Sequence, residues 1–384
     1  MKFVSITYTK KTQFSEPGAW LQRIRAYLGV LEALAKQQHA VISLDRISYK
    51  GEIVVNGVAH HFPDFGSNPL MVAWRLNRYT ARQHPDIVLV QGMLFPLHVI
   101  LLRIQLGKKT KIIIQNHAEK PGQGRLGMFQ RLADPFIDAY LFTAREMGKE
   151  WISRHIIRRP EKIRAVMEAS SDFGLMDKQE ARSLIRVQGE PVFLWVGRLD
   201  ENKDPLTVIR AFLQLAMLQP SARLYMIFHT QELLPAVEQQ LDLAPGGRER
   251  VILVGEQQHG NMAGWYNSAD YIVSGSHYEG SGVAVCEAMS CGCIPVLTDI
   301  LSFRKMTGDG SCGILYPAGD TESLLAALQQ ITSLDKDIER EKVLRQFRSS
   351  LSFEAIADDI YKVAASLGPA ASGPTASPGS PASR

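Results

Sequence analysis

Short runs of β-branched and apolar residues alternate with longer amphipathic stretches in the first half of the chain. The runs are FVSITY, AVISL, DIVLV, KIIIQ and DAYLF, and the stretch WLQRIRAYLGVLEALAK carries apolar residues three and four positions apart. Strands separated by helices indicate βαβ units and a parallel sheet. The three-and-four spacing indicates a helix with one core-facing stripe. This half therefore predicts an α/β domain.

The same alternation restarts in the second half. The strand-like runs are PVFLWVG, ARLYMIF, RVILVG, DYIVSG and CIPVLT, and the helical patterns between them are TVIRAFLQLAM, LLPAVEQQL, MAGWYNSA and VAVCEAMS. Between the halves, a polar stretch offers no strand and only a short helical pattern. We therefore predict α/β domains at residues 1–170 and 190–350, joined by a hinge at 171–189.

The end of the chain divides into a helix and a tail. The segment SFEAIADDIYKVAASL has helical character, which predicts a C-terminal helix over residues 351–367. The following GPAASGPTASPGSPASR lacks apolar periodicity and cannot bury enough surface to offset its ordering entropy. Residues 368–384 are predicted to be a disordered tail.

Length and composition support two domains without a membrane span. The chain has 384 residues, of which 45% are apolar, and it contains no run of eighteen apolar residues. Its start, MKFVSITYTKK, does not have the pattern of a cleavable signal. We expect a soluble, cytoplasmic protein. All four cysteines lie in the C-terminal half without partners at zinc-site spacing, so we expect buried thiols and no bound metal.

The formal net charge of +4 hides an asymmetry along the chain. Residues 1–185 carry 27 basic and 16 acidic residues, a balance of +11, and the remainder carries 16 and 23, a balance of −7. A basic half suggests an acidic or phosphorylated acceptor or an anionic membrane surface. The helical segments WLQRIRAYLG and PLHVILLRIQLGKKTK interleave apolar and basic residues and are candidates for membrane contact. A merely solvated basic surface is the alternative.

The segment HYEGSGVAVCEAMSCGCIPVLTD carries the most specific chemistry. Glu279 is followed by a small-residue loop, Gly280–Gly282, which opens onto a helix predicted to start near Val283, with Glu287 one turn inside it. A helix N-terminus presents unpaired N–H groups that suit a phosphate or a sugar hydroxyl. Because carboxylates repel a diphosphate, Glu279 and Glu287 are better suited to accept hydrogen bonds from sugar and ribose hydroxyls. A purely structural role for the two glutamates is the alternative.

A second segment, WVGRLDENKDP, delivers Arg198 and Lys203 into the loop after a predicted strand. The planar guanidinium and the compact ammonium suit a pyrophosphate, whose charge grows as it leaves. Surface ion pairs with neighbouring acidic residues are the alternative.

Together these segments resemble the catalytic domain of glycosyltransferase family 4 (group 1). The resemblance covers residues 191–320 and implies a GT-B fold, in which two Rossmann-like domains face each other across a cleft. It implies that Arg198 and Lys203 hold the diphosphate and that Glu287 holds the ribose. The transferred sugar would be held by Glu279 and the amides after it. The matching positions are Gly197, Arg198, Leu199, Lys203, Glu279, Gly280, Gly282, Glu287, Ala288, Met289, Gly292, Pro295 and Val296, and the loop positions implied for donor contact are Gly280, Ser281, Gly282 and Val283.

The N-terminal half matches the family more loosely. His117 follows the predicted strand KIIIQ, where the family has a histidine that contacts the donor sugar, and a structural histidine is the alternative. Gly18 is a candidate for the loop whose backbone approaches the diphosphate, although family members often have paired glycines there. His229 and Thr230 replace a glycine-bearing turn, which leaves the choice between UDP and GDP open.

The resemblance implies a retaining glycosyltransferase in bacterial-type cell-surface polysaccharide, lipopolysaccharide or glycoconjugate synthesis. The donor would be a UDP- or GDP-sugar, and the acceptor a saccharide, a lipid-linked sugar or a small molecule. Neither a metal nor another cofactor is expected, and nucleic acid is not an expected partner. A nucleotide-sugar 2-epimerase of the same fold and a non-catalytic nucleotide-sugar-binding module are the alternatives.

Overall fold

The N-terminal domain is built on an eight-stranded sheet. The computed structural model of the protein describes residues 1–66 and 69–368. The strand order is β3-β4-β2-β1-β5-β6-β7-β8, in which only β3 runs antiparallel to its neighbour. The strands are β1 (Lys2–Lys11), β2 (Ala40–Ile47), β3 (Gly51–Val55), β4 (Val58–Phe62), β5 (Ile87–Gln91), β6 (Lys111–Gln115), β7 (Ala139–Phe142) and β8 (Ile163–Ala165). The helices are α1 (Pro17–Arg23), α2 (Arg25–Lys36), α3 (Pro69–Arg82), α4 (Pro96–Leu106), α5 (Gly124–Ala133) and α6 (Lys149–Ser153).

The C-terminal domain has a parallel six-stranded sheet of order β11-β10-β9-β12-β13-β14. Its strands are β9 (Val192–Val196), β10 (Arg223–Ile227), β11 (Val251–Gly255), β12 (Tyr271–Ser274), β13 (Ile294–Thr298) and β14 (Ile314–Tyr316). Its helices are α7 (Lys178–Ile185), α8 (Pro205–Leu218), α9 (Leu234–Leu243), α10 (Gly247–Arg250), α11 (His259–Ser268), α12 (Val283–Ser290), α13 (Leu301–Thr307), α14 (Thr321–Ser333) and α15 (Lys336–Gln346). A last helix, α16 (Phe353–Ser366), follows.

The hydrophobic runs that predicted strands are buried on both faces of their sheets. The central strands IVLV of β5 and VFLW of β9 have every one of these residues buried. Continuous apolar runs of this kind are expected where helices cover both sides of a parallel sheet. The predicted α/β class with two domains is therefore confirmed. The hairpin of β3 and β4 was not predicted.

Two segments connect the domains. The second part of the predicted hinge is helix α7, which packs on α11 of the C-terminal domain. Helix α16 lies against α2, with the ring of Phe353 on Gly29. Arg25 on α2 pairs with Glu32 at 2.7 Å and with Asp172 in the connecting segment at 2.6 Å. The last helix and the linker thus both contact the α2 side of the N-terminal domain. Apart from Gly368, the predicted tail lies outside the described residues.

In the part of the chain that the structure describes, no helix is long and apolar enough to cross a membrane. The four cysteines are buried free thiols.

Candidate active site

The candidate residues of the C-terminal domain lie where the strand order of its sheet reverses. β9 and β12 are neighbours at this point, and the chain leaves β9 towards β10 on one side while β12 continues towards β13 on the other. Ligands of open α/β sheets bind in the crevice outside the carboxyl ends of such strands. The loop after β9 carries Arg198 and Lys203, and the loop after β12 carries Glu279 and the glycines. The structure thus brings the two sequence segments together.

Gly282 forms the start of α12 and fixes the direction of the loop before it. Its φ of 58° is left-handed, and a Cβ there would lie 2.8 Å from the ring of Phe303. No side chain caps this helix, so the N–H groups of its first turn, beginning at Val283, are not satisfied by a cap. Unpaired amides and the helix dipole at this point favour a phosphate or a hydroxyl oxygen.

The basic residues after β9 have different surroundings. The Lys203 ammonium forms an ion pair with the Glu279 carboxylate, and both side chains are largely buried. Arg198 pairs with Asp200 at 3.0 Å but keeps 54% of its side chain exposed. Thr230 is one of the departures from the family pattern. Its hydroxyl accepts a hydrogen bond from the Leu199 amide at 2.8 Å, which ties the loop after β9 to the loop after β10.

Glu287 lies one turn inside α12, as predicted, and is held by two side chains that the sequence did not single out. The Tyr266 hydroxyl donates to one carboxylate oxygen at 2.8 Å, and His259 Nε2 approaches the other at 3.2 Å. The Glu287 hydrogen bond is the main reason why the pKa of His259 is raised. The Phe173 ring packs on His259 with centroids 4.9 Å apart. A ribose at Glu287 would therefore meet a carboxylate with a fixed orientation.

His117 follows β6 and is fixed through both ring nitrogens. Nδ1 lies 3.1 Å from Glu168 Oε2, and Nε2 lies 2.9 Å from Gln91 Oε1. Because the oxygens facing both nitrogens can accept hydrogen bonds, this arrangement favours a doubly protonated ring in which both nitrogens donate. Burial lowers the pKa of His117, but the hydrogen bond and charge of Glu168 and the charge of Glu119 outweigh it, so the pKa is raised. Neither nitrogen is left free for a sugar hydroxyl in this arrangement.

The loop before α12 meets the His117 loop across the cleft. The Tyr278 hydroxyl donates to the Ala118 carbonyl at 3.2 Å. A Cβ at Gly280 would lie 2.8 Å from the Cβ of Ala118 and 3.3 Å from Glu168 Oε1, so only a glycine permits this approach. His117 and the predicted sugar-binding loop of Gly280 and Ser281 therefore face each other.

Gly18 does not lie in a loop. It occupies the first turn of α1, and nothing lies within 4 Å of the position of a Cβ. The apolar pattern predicted a helix from Trp20 onwards, but the helix begins three residues earlier, at Pro17. The sequence therefore did not predict that Gly18 is helical. Whether the backbone at Gly18 approaches a diphosphate stays a prediction.

The sequence also missed Glu168, Tyr266 and His259. Glu168 is 51 positions from His117, and no local pattern connects them. Among the described residues, no group of three or more His, Cys, Asp or Glu side chains is arranged to hold a metal ion. Metal independence stays a prediction.

Comparison with known proteins agrees with this geometry. Residues 177–347 match the family model described as glycosyl transferases group 1. A relative in Campylobacter jejuni, the N-acetylgalactosamine-N,N'-diacetylbacillosaminyl-diphospho-undecaprenol 4-alpha-N-acetylgalactosaminyltransferase, is 22% identical over 89% of this chain and 93% of its own. The phosphatidyl-myo-inositol mannosyltransferase of Mycobacterium leprae is 30% identical over 39% of this chain and 38% of its own.

Solved structures share the whole architecture. The Anabaena protein HepE in complex with UDP superposes with a TM-score of 0.71 at 15% identity, covering 95% of this chain and 100% of its own. The sucrose-phosphate synthase of Thermosynechococcus elongatus gives 0.68 at 17% identity, covering 95% and 98%. The GT-B architecture expected from the sequence is confirmed.

Proposed function

By the match of residues 177–347, this chain is a group 1 glycosyltransferase. We propose that it moves a sugar, with retention of configuration, from a UDP- or GDP-sugar to an acceptor hydroxyl. We further propose that the acceptor is a saccharide, free or lipid-linked, in glycoconjugate or polysaccharide synthesis. The name of the Campylobacter jejuni relative, whose acceptor is linked to a diphospho-undecaprenol, supports the lipid-linked form.

The proposed function rests on the contact between three loops: the loop after β9, the loop before α12 and the His117 loop. The two cations after β9, Arg198 and Lys203, stand beside the loop that opens onto the N-terminus of α12. That loop lies against the His117 loop of the other domain. A diphosphosugar placed here has cations and helix amides for its phosphates, and it has Glu279 for its hydroxyls.

The reaction breaks the bond between the sugar's anomeric carbon and the diphosphate. Negative charge then develops on the leaving phosphate oxygen, where Arg198, Lys203 and the N-terminus of α12 stabilise it. The acceptor hydroxyl forms the new bond on the same face of the sugar and loses its proton to the leaving phosphate. No side chain has to act as a nucleophile. Arg198 and Lys203 do the work on the leaving group that a metal ion does in other enzymes.

A panel of UDP- and GDP-sugars, incubated with the protein and no acceptor, tests this function. We expect one donor to bind and to release its nucleotide slowly by hydrolysis. An epimerised nucleotide sugar without nucleotide release identifies an epimerase instead. Binding without any turnover identifies a non-catalytic module. With an acceptor present, proton NMR of the product reports the anomeric configuration, and inversion contradicts retention.

We also propose that α3, α4 and α5 dock on an anionic membrane. The first membrane candidate in the sequence, WLQRIRAYLG, offers little apolar surface because its residues Trp20, Leu21 and Leu28 are buried in the core. The packed helices α3, α4 and α5 instead expose apolar side chains next to basic ones. The exposed apolar residues are Trp74, Leu97, Ile104, Met128 and Leu132, and the basic residues on or just after these helices are Arg75, Arg78, Lys108, Lys109 and Arg125.

Such a surface combines apolar insertion with attraction to anionic headgroups. Ile104 is 67% exposed, and Leu243 in the C-terminal domain is 79% exposed and serves as a control. In cosedimentation with vesicles of phosphatidylcholine and phosphatidylglycerol, Ile104→Glu should weaken binding several-fold and Leu243→Glu should not. Binding that is independent of phosphatidylglycerol, or equal for both variants, contradicts the membrane proposal.

A further inference from the structure

A cavity of about 370 Å³ lies between α1–α2 and the N-terminal sheet. Its floor crosses the carboxyl ends of β2, β1, β5 and β6, which are neighbours in that order. His117 and Glu168 line it beyond β6, and Asp45 and Trp20 line it at β2. The carboxyl ends of β2 and β6 are three interstrand steps apart. At about 4.8 Å a step, the distance between them is about 14 Å. We call this cavity the α2 slot.

The two walls of the α2 slot differ in character. The helix wall is apolar and aromatic, and it includes Ile24, Tyr27 and Leu28. The sheet wall also includes Leu89 and Leu141, but most of its side chains are hydroxyls or amides: Ser5, Thr7, Ser43, Gln91 and Gln115. The apolar wall can pack against the C–H groups of a ring, and the hydroxyls and amides opposite can bond to its polar substituents. The slot therefore suits a flat ring with polar substituents on its edge.

The far end of the α2 slot holds two polar groups with unused capacity. Asp45 is 6% exposed, and Ser43 donates to one of its carboxyl oxygens at 2.7 Å. The Trp20 indole N–H lies beside this carboxyl, but Nε1 makes no hydrogen bond of normal length and angle. Burial raises the pKa of Asp45, which Ser43 and Trp20 oppose. The Trp20 N–H faces Asp45 and not the cavity, so the group that a ligand in the slot can meet at this end is the Asp45 carboxyl, which has lone pairs beyond the one that Ser43 uses.

The charges around the α2 slot exclude an anionic ligand. Carboxyl groups of Asp45, Glu119 and Glu168 line it, and among its described lining residues only Lys11 and His117 are basic. The Glu168 carboxylate is already engaged by the His117 imidazolium at 3.1 Å. A phosphate inside the slot would meet three carboxyl groups and only two basic side chains, whereas sugar hydroxyls can donate to the carboxyl groups.

The near end of the α2 slot opens at the proposed reaction site. His117 and Glu168 belong both to the slot lining and to the contact with the Gly280 loop across the cleft. A molecule in the slot therefore ends where the donor sugar would be held. The other end of such a molecule reaches Asp45. The distance of about 14 Å between the two ends of the slot exceeds the length of one pyranose ring.

We propose that the α2 slot binds the acceptor, and that the acceptor is an uncharged saccharide of at least two rings. Its reacting hydroxyl lies at the His117 end, and its far ring donates a hydroxyl hydrogen bond to Asp45. This inference rests on the proposed function, because it identifies the acceptor of that reaction. Any phosphate of a lipid-linked acceptor stays outside the slot.

The test compares the affinities of methyl glycosides of single hexoses or N-acetylhexosamines with those of disaccharides, measured by calorimetry without donor. At least one disaccharide should bind about tenfold more tightly than its monosaccharides. Asp45→Asn should abolish this gain and leave UDP and GDP binding unchanged. Asp64→Asn, which alters a carboxyl group that lies outside the slot, is the matched control.

A structural role for Asp45 predicts a different outcome. If the carboxyl group served only to hold Ser43 and Trp20, Asp45→Asn would lower the melting temperature. We expect the variant to be at least as stable, because the cost of burying a carboxyl group is removed. A lowered melting temperature with unchanged disaccharide affinity overturns the proposal, and so does the absence of any disaccharide preference in the wild-type protein.

Two further outcomes separate this proposal from the proposed function. A protein that prefers disaccharides but never releases nucleotide from a donor supports the slot and contradicts the function. Nucleotide release without a disaccharide preference contradicts the slot alone. A hexose 1-phosphate that binds more tightly than the methyl hexoside, and more tightly still in Asp45→Asn, places an anion in the slot and overturns the proposal. A lipid-linked disaccharide that gains affinity only in anionic vesicles identifies the source of the saccharide as a lipid.

Discussion

At the residue scale, His117 and Glu287 are each held by side chains from distant parts of the chain. His117 was predicted from its place after a strand, whereas Glu168, which holds its Nδ1 at 3.1 Å, comes from the far end of the domain. The same holds for Glu287 and its partners Tyr266 and His259. Such pairs depend on the tertiary arrangement of distant strands, and no local pattern of residues specifies it.

The charge of His117 provides a prediction at this scale. The Glu168 carboxylate raises the pKa of His117, so replacing it by an amide lowers that pKa towards and below its usual value. If the imidazolium is the active form, activity is present below the pKa and lost above it. The alkaline limb of the pH profile should then move to lower pH in Glu168→Gln.

The control is Glu150→Gln, in which a surface glutamate that pairs with Arg154 is altered. Its pH profile should match that of the wild type. An unchanged alkaline limb in Glu168→Gln contradicts a charged His117 in the reaction.

At the scale of elements, patterns of apolar residues predicted the central strands and the helix after Gly282. They did not reveal the β3–β4 hairpin, although its Asn56-Gly57 turn has one of the strongest short hairpin signals. The hairpin strands are short and lie at an edge of the sheet, and β3 is only partly buried, so its apolar pattern is weak. Turn chemistry carries more information there than hydrophobic periodicity.

The start of α12 is the element on which donor binding depends most. Alanine at position 282 would have to adopt a left-handed conformation, which costs about 1–2 kcal/mol, and would press on Phe303. Gly282→Ala should lower the free energy of unfolding by at least that amount and weaken nucleotide binding. Gly260→Ala, at an open helical position in α11, should leave the stability unchanged or raise it. Chemical denaturation compares the two, and equal stabilities contradict the described start of α12.

At the scale of the whole molecule, the resemblance in the C-terminal half was sufficient to predict the two-domain fold. It was not sufficient to predict how the domains meet, which depends on Arg25 bridging Glu32 and Asp172 and on α16 packing against α2. The α2 slot is likewise a property of the folded protein, because its walls come from five strands, from α1 and α2, and from α16. Its lining residues are spread over the chain without a common motif.

If the cations after β9 stabilise the leaving group, as proposed, their removal lowers the turnover number for nucleotide release at saturating donor. Arg198→Ala and Lys203→Ala should each lower it by about 100-fold or more, as expected when a group that stabilises transition-state charge is removed. The controls are Arg248→Ala and Lys362→Ala, which remove cations paired with Asp242 and Asp359 elsewhere in the chain. They should keep turnover within about twofold, because surface ion pairs contribute little. Turnover in Arg198→Ala and Lys203→Ala equal to that of these controls, in folded protein, would contradict the account.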